Sequence, residues 1–328
     1  MSLIVGAYAA SAAHARWNPA AEQEFFEGLE TLPDVRGLEL PWIGSAHPHD
    51  DDWLYSHFPR RFDAVLTSVP GVMVRLRDEP RFGLASTDHG GRAAAVREAL
   101  AMRDAVHRLN DACGRAAVIG IELVSAPTAG PSAIGSADAL RSSLLELVEA
   151  GGWDEALLLI EHCDAAVADH PAEKGFLSVE DELTALADLP MSVGMSVNWG
   201  RSAIELRDPD SVAAQIARVA ASDRLCSLML SGTSAEVTAF GSDWADAHHP
   251  FAPIAGSSDA KAFPLGEPTS LLTLDRLRAA LTAAGPTRWK GFKFGWADSV
   301  APVARRIDMI SAAAELIAAE MALSVHRA

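Results

Sequence analysis

The chain has 328 residues, 49% of them hydrophobic and 22% charged, which is enough apolar material for a large buried core and excludes a disordered protein. Its net charge of −17, from 44 acidic and 27 basic side chains, opposes the positive surface that nucleic-acid binding needs. No apolar run approaches the roughly 20 residues that span a bilayer, and no basic segment precedes the first apolar run. We therefore expect a cytoplasmic protein with neither nucleic acid nor a membrane as a partner.

Short apolar runs that end in polar residues, glycine or proline recur along the chain and are typical of β-strands. They cover residues 3–8, 35–40, 63–69, 117–124, 155–162, 191–198, 225–231 and 291–296. Both alternating sets of side chains in these runs are apolar, as in parallel strands that helices cover. The sequence therefore predicts eight parallel strands.

Helical patterns fill the segments between these runs. Residues that can cap the first turn of a helix are Ser136, Ser178 together with Asp181, and Asp208 before Pro209. The first of these helices is expected to end at Gly151. Ala-rich patterns at 90–112 and 302–322 predict two longer helices.

The regular alternation of strands and helices favours a closed (β/α)8 TIM barrel over an open doubly wound sheet. No Gly-x-Gly-x-x-Gly follows the first strand, so nothing indicates a dinucleotide site. We expect one barrel domain over 1–328, with long loops at about 43–62, 71–89 and 232–270. All three loops follow a strand, which is where barrel enzymes carry their functional loops.

Three carboxylates lie at or near predicted strand ends. Glu161 follows the apolar run of the fifth strand directly, and a buried carboxylate at such a position needs a partner, a proton or a metal. A structural ion pair is the alternative to a functional role. Glu39 and Glu122 lie near the ends of the second and fourth strands, and pairs of Glu122 with Lys293 or of Glu39 with Arg201 are their structural alternatives.

The turn after the sixth strand carries Asn198, Trp199 and Arg201. Asn offers a donor and an acceptor, Arg a rigid fork for hydroxyls or anions, and Trp an apolar face for a sugar ring, so this turn suits a polar small molecule. The alternative is a turn in which Trp199 packs against a helix and Arg201 pairs with Glu205. Trp296 ends the eighth predicted strand and is expected at the rim of the same site.

These features together resemble the xylose isomerase-like barrel superfamily, and within it the ketose 3-epimerase branch. The branch carries Asp-Thr-x-His and then an Ile-Glu pair after its sixth strand, where this chain has the turn 198–201 and then Ile204 and Glu205. The segments Asn-Trp-Gly-Arg-Ser at 198–202 and Trp-x-Asp-x-His-x-Pro at 244–250 resemble an uncharacterised bacterial family of this superfamily.

The resemblance implies one divalent metal, held by Glu, Asp, His and Glu at the ends of strands five to eight, with the two glutamates exchanging a substrate proton. Glu161 matches the first ligand and Asn198 falls on the aspartate, while Arg201 replaces a substrate-binding histidine. Strand seven ends in Leu230-Ser231-Gly232 without histidine, and strand eight offers Lys293 in place of glutamate. We therefore expect a metal-free or weakly binding pocket, although Mn, Zn or Mg remains an alternative.

The loop after the seventh predicted strand carries a compact polar cluster of Trp244, Asp246, His248 and His249. Asp246 or His249 can restore a metal ligand beside Glu161, since imidazole and carboxylate together suit Zn or Mn. The other expectation is that Trp244, His248 and His249 contact the substrate or close over it.

Three functions remain open at this point. The first is a sugar or sugar-acid isomerase or epimerase, in which Glu161 removes a proton next to a carbonyl and Lys293 stabilises the resulting enediolate. The second is a glycoside hydrolase or lyase that uses Glu122 and Glu161 as its two carboxylates. The third is a non-catalytic carbohydrate-binding barrel. Each has a small-molecule partner, expected to be a sugar, and a homodimer is compatible with all three.

Overall fold

The computed structural model describes residues 3–130, 134–256 and 262–325. In these ranges the strands form a closed parallel barrel in the order β1 to β8, with helices between them. The predicted (β/α)8 TIM barrel is thus confirmed as the fold. All helices in the described ranges are too short or too polar to span a bilayer.

The strands lie close to the predicted apolar runs. They are β1 (Leu3–Val5), β2 (Val35–Pro41), β3 (Asp63–Thr67), β4 (Val118–Leu123), β5 (Leu157–His162), β6 (Val193–Asn198), β7 (Leu225–Leu230) and β8 (Trp289–Phe292). The predicted position of the eighth strand is wrong by two residues at its start, because Trp289 already pairs with Ser227 of β7. Lys293 and Trp296 consequently follow β8 and do not belong to it.

The helices are α1 (Ala12–Ala15), α2 (Pro19–Glu30), α3 (Asp51–His57), α4 (Val69–Asp78), α5 (His89–Cys113), α6 (Ala137–Ala150), α7 (Val179–Leu186), α8 (Trp199–Leu206), α9 (Val212–Ala221), α10 (Leu274–Ala284) and α11 (Val303–Val325). The hydroxyls of Ser136 and Ser178 cap α6 and α7 as predicted. The helix start predicted at Asp208 is wrong. Its carboxylate instead accepts from the backbone N–H of Asp210 and the hydroxyl of Ser211, which closes a turn before α9.

The chain divides into two compact units. The first comprises Met1–Glu39, Asn198–Ala220 and Ser227–Ala328, and the second comprises Leu40–Val197 and Ala221–Cys226. In the first unit β1 pairs with β2 and β8, and β8 pairs with β7. In the second, β3, β4, β5 and β6 pair in sequence. That 1–328 forms a single domain stays a prediction.

The three segments that we expected to be long loops differ in their secondary structure. The segment 43–62 contains α3, and the segment 71–89 contains most of α4. The segment 232–270, of which 257–261 lie outside the described residues, folds back on itself, because Gly232 pairs with His249 and Ile254 with Phe263 in antiparallel bridges. Its aromatic side chains pack into the first unit, with the Phe251 and Phe294 rings 5.0 Å apart. This long segment is thus an ordered part of the first unit where it is described.

Candidate active site

Two buried carboxylates lie side by side in the second unit. Glu122 of β4 is in register with Leu159 of β5, so Glu161, two residues further on, points to the same face of the sheet. Both glutamates are wholly buried, and a carboxylate oxygen of one lies within 4.8 Å of a carboxylate oxygen of the other. The Thr67 hydroxyl on β3 donates to Glu161 Oε2 at 2.9 Å. Strand register therefore brings the two predicted carboxylates together.

The polar residues that follow Glu161 serve the local structure. His162 Nδ1 lies 2.7 Å from Glu182 of α7, whose other oxygen accepts from Ser125 at 2.5 Å. Asp164 Oδ2 accepts from the backbone N–H groups of Glu173 and Lys174 at 2.7 and 2.8 Å, which shapes the loop after β5. Buried hydrogen-bond networks of this kind hold a loop in one conformation.

In the first unit Lys293 forms a buried ion pair. Its Nζ lies 2.6 Å from Glu39 Oε1, with both side chains wholly buried, and 5.3 Å from the centroid of the Tyr8 ring. Burial raises the pKa of Tyr8 well above its ordinary value, so its hydroxyl stays protonated. The close approach requires glycine at Gly6, because a Cβ there would lie 2.7 Å from Lys293 Cγ. The structural partner of Glu39 is thus Lys293, not the Arg201 that the sequence suggested.

The turn after β6 is built around the Asn198 amide. Its Oδ1 accepts from the Ser231 hydroxyl at 2.7 Å and from the backbone N–H groups of Gly200 and Arg201 at 3.1 and 3.4 Å, which caps α8. Trp199 is only 1% exposed, which favours the packing alternative for this side chain over an open sugar platform. Arg201 is also buried, and its Nε donates to Asp246 Oδ2 at 2.9 Å.

The polar loop cluster of Trp244, Asp246, His248 and His249 also lies in the first unit. His248 Nδ1 lies 3.2 Å from Asp246 Oδ1, and burial is the main cause that lowers the pKa of His248. The wholly buried His249 instead contacts the Thr238 hydroxyl through Nε2 at 2.9 Å and packs on the Phe240 ring. The guanidinium of Arg207 lies over the Trp244 ring, 4.5 Å from its centroid. Trp296, half-buried, follows β8.

These contacts test whether the residues fit the divalent ion that the resemblance implies. The Asn198 oxygen already accepts from three donors, and the strand-eight position holds the ammonium of Lys293. Asp246 accepts a hydrogen bond from the guanidinium of Arg201, and His249 Nε2 is hydrogen-bonded to the Thr238 hydroxyl. Of the four implied ligands, only Glu161 has a carboxylate in place. The residues present therefore do not fit that ligand set.

Several contacts at the site could not be found from the sequence. The Ser231 hydroxyl on Asn198 joins residues 33 positions apart, and the Thr67 hydroxyl on Glu161 joins residues 94 positions apart. The only signal in the sequence is that Thr67 and Ser231 stand at or just after predicted strand ends. The prediction that Glu161, Asn198, Arg201 and Lys293 share one pocket stays a prediction.

Comparison with known proteins places the chain among relatives of the same fold. Residues 4–309 match the profile of a family described as a domain of unknown function, DUF4862. An uncharacterised protein of Salmonella typhimurium, STM3670, is 34% identical over 312 residues, which cover 94% of each chain. A solved L-ribulose 3-epimerase superposes with a TM-score of 0.57 at 12% identity, covering 100% of this chain and 95% of the other. A xylose isomerase domain-containing protein of Salmonella typhimurium superposes with a TM-score of 0.58 at 11% identity, covering 96% of each chain, and the xylose isomerase-like barrel is thereby confirmed as the fold.

Proposed function

The chain belongs to the DUF4862 family, and from its barrel and its paired carboxylates we propose that it isomerises or epimerises a sugar or sugar acid by removing a proton next to a carbonyl. Fold likeness supports the substrate class, since neighbours of the same fold include an L-ribulose 3-epimerase and a D-tagatose 3-epimerase-like protein. The chemistry itself is argued from the side chains of this chain.

The observation that carries the proposal is the pair of Glu122 and Glu161. Both are wholly buried, with carboxylate oxygens within 4.8 Å of each other. Two carboxyl groups so close favour different protonation states, because two like charges repel strongly away from water. One carboxylate can then act as a base while its neighbour holds a proton. We assign the base to Glu161, whose Oε2 accepts from the Thr67 hydroxyl on β3, which orients the carboxylate.

Lys293 supplies positive charge for the intermediate. Removing a proton next to a carbonyl leaves negative charge on the carbonyl oxygen, and a buried ammonium lowers the energy of that charge far more than an exposed one. The Lys293 ammonium is wholly buried and held by Glu39 at 2.6 Å. Arg201, Trp244, His249 and Trp296 are proposed to hold or cover the substrate.

The test is exchange of carbon-bound hydrogen in D2O. The purified protein is incubated with a panel of aldoses and ketoses that includes D-tagatose and L-ribulose, and proton NMR follows the loss of the signal next to the carbonyl. Glu161→Gln keeps the shape of the side chain and removes the base, so exchange should fall by roughly 100-fold or more. Glu149→Gln, an exposed position on α6, is the matched control and should exchange at the wild-type rate.

Unfolding by urea distinguishes a catalytic role of Glu161 from a purely structural one. A variant that unfolds at the wild-type urea concentration but exchanges no hydrogen supports the proposal. If Glu161→Gln lowers stability and leaves specific activity unchanged, Glu161 is a structural partner and the proposal is wrong.

The same two carboxylates support one second candidate. Retaining glycosidases hold their carboxyl groups about 5–5.5 Å apart and inverting enzymes about 6.5–9.5 Å apart. A separation within 4.8 Å for Glu122 and Glu161 comes nearer to the retaining geometry. Release of nitrophenol from nitrophenyl glycosides, without hydrogen exchange in free sugars, would favour this hydrolase over the isomerase. Saturable sugar binding without either reaction would favour a carbohydrate-binding barrel.

A further inference from the structure

The side-chain amide of Asn198 is fixed in orientation by its oxygen. Asn198 Oδ1 accepts from the Ser231 hydroxyl at 2.7 Å and from the backbone N–H groups of Gly200 and Arg201 at 3.1 and 3.4 Å. Exchanging the amide oxygen and nitrogen would turn an NH2 group towards three donors, so the other atom must be Nδ2. Asn198 is wholly buried, and its Nδ2 donates to none of the residues that the structure describes. A buried donor of this kind is stabilised when a ligand supplies the acceptor.

Trp296 offers a second donor in the same unit. Its indole Nε1 is buried, although the residue as a whole is half-buried, and no residue in the described ranges accepts from it. The chain segments that carry the two donors are linked, since the N–H of Lys293 donates to the Leu230 carbonyl at 2.9 Å and the next residue, Ser231, donates to Asn198. Asn198 therefore stands at the end of β6 and Trp296 shortly after the end of β8, with the end of β7 connecting them.

Tyr8, just after β1, supplies a third donor. The Nζ of Lys293 lies 5.3 Å from the centroid of the Tyr8 ring. Burial is the main cause that raises the pKa of Tyr8, so its hydroxyl keeps its proton. Hydrogen bonding with Lys293 acts on the same hydroxyl, and an ammonium can only donate. The Tyr8 oxygen thus accepts from Lys293, and its own O–H is left to donate to a ligand.

The charges around the Tyr8 hydroxyl favour an anion there. The positive charge of Lys293 lowers the pKa of Tyr8 more than the negative charge of Glu39 raises it, and Arg201 lowers this pKa further. The ion pair of Lys293 with Glu39 therefore does not cancel the positive field at this hydroxyl. A negatively charged group next to it is attracted by the two cations.

The hydrogen-bonding capacity of these side chains selects the kind of oxygen that they bind. Asn198, Trp296 and Tyr8 each have a proton to donate, while the oxygens of Asn198 and Tyr8 already accept. A sugar hydroxyl would bring a further proton that needs an acceptor. A carboxylate brings no proton, offers about four lone pairs, and forms hydrogen bonds roughly twice as strong as neutral ones. The set therefore suits a carboxylate.

We propose that the first unit binds a sugar acid through its carboxylate, which accepts from Asn198 Nδ2, Trp296 Nε1 and the Tyr8 hydroxyl. The half-buried Trp296 can also pack its ring on the apolar face of a pyranose, which favours a sugar acid over a simple carboxylate. Of the two substrate classes proposed above this selects the acid. Only binding is claimed, so the inference stands without the proposed reaction.

The experiment is isothermal titration calorimetry on the full chain at pH 7. It compares D-glucuronate and D-gluconate with D-glucuronamide and D-gluconamide, in which a neutral amide replaces the carboxylate. At least one acid should bind roughly 10-fold or more tightly than its amide, because the amide loses the charge and two of the lone pairs. Acetate, which has the carboxylate but no sugar, should bind more weakly than that acid.

Asn198→Asp removes the first donor. The variant keeps the shape of the side chain and the oxygen that caps α8, but it replaces the N–H groups by an anionic oxygen that repels a carboxylate. Affinity for the acid should fall by roughly 10-fold or more, and affinity for the amide should change little. Chelator is present in these titrations so that the new carboxylate holds no divalent ion.

Tyr8→Phe provides a second measurement that does not depend on how Asn198→Asp folds. The ring stays and only the hydroxyl is lost, so the acid should bind roughly 10-fold more weakly. Tyr55→Phe, on α3 of the second unit, is the matched control and should bind the acid with the wild-type affinity.

Three results for the wild-type protein would overturn the inference: equal affinity for acid and amide, no binding of either acid, or tighter binding of inorganic phosphate or acetate than of either acid. Wild-type affinity of Asn198→Asp and Tyr8→Phe for the acid would overturn it as well. Binding of the acid without hydrogen exchange would support this inference and refute the proposed function, so the two can fail separately.

Discussion

Lys293→Met tests the buried ion pair of Lys293 with Glu39. Methionine fills a similar volume, but Glu39 is left wholly buried without the cation that lies 2.6 Å away. Breaking a buried pair from one side costs about 3–5 kcal/mol, because the remaining charge is uncompensated. We therefore expect the free energy of unfolding to fall by about 3–5 kcal/mol.

Glu39→Gln combined with Lys293→Met removes both charges together. The double variant should lose less than the sum of the two single losses, by about 2 kcal/mol or more, because no unpaired charge is left buried. Urea unfolding at pH 7, followed by tryptophan fluorescence, measures all three variants. A loss below about 1 kcal/mol for Lys293→Met, the value typical of exposed pairs, or strictly additive losses, would refute the reasoning.

Two further predictions concern pH and metal. Burial raises the pKa of Tyr55 to about 12 and that of Tyr8 further, from an ordinary value of 10.0, so the folded state keeps protons that the unfolded state releases above about pH 10. The free energy of unfolding should therefore fall as pH rises above about 10, less steeply in Tyr55→Phe, and a flat profile there would contradict the raised pKa of both tyrosines. Elemental analysis after purification without chelator should find far less than one divalent ion per chain, and titration with Mn and Zn should show only weak binding. A stoichiometric ion that Glu161→Gln removes would contradict this prediction and would show that Glu161 is a metal ligand.

The fold could be predicted from the sequence because its signals are local. Each strand is a short apolar run that breaks at a polar residue, and Ser136 and Ser178 cap helices within three residues of themselves. The errors arose where a local signal had two outcomes. Asp208 can cap a helix or close a turn, and it closes a turn. Trp289 and Lys290 lie outside the predicted eighth strand, but pairing with β7 makes them the start of β8.

For the candidate site, the sequence predicted the positions of residues but not the contacts between their side chains. Position at a strand end sufficed to select Glu122, Glu161 and Lys293, because the carboxyl ends of parallel strands in a barrel face one side. Which side chains meet was decided by tertiary structure. Lys293 meets a glutamate 254 positions earlier in the sequence, at a distance set by strand register that no local pattern encodes.

The polar loop cluster after β7 shows most clearly that tertiary structure decides which side chains meet. Its sequence offers two adjacent histidines and an aspartate, and residue types alone cannot tell a ligand, a base and a packed ring apart. The path of the backbone separates them, since it turns His249 towards a threonine hydroxyl and His248 towards Asp246. The sequence by itself determined which of these residues stand at or just after the ends of strands. Only the folded chain decided their partners, because those contacts depend on register and on the path of a long loop, and both are set by packing across the whole unit.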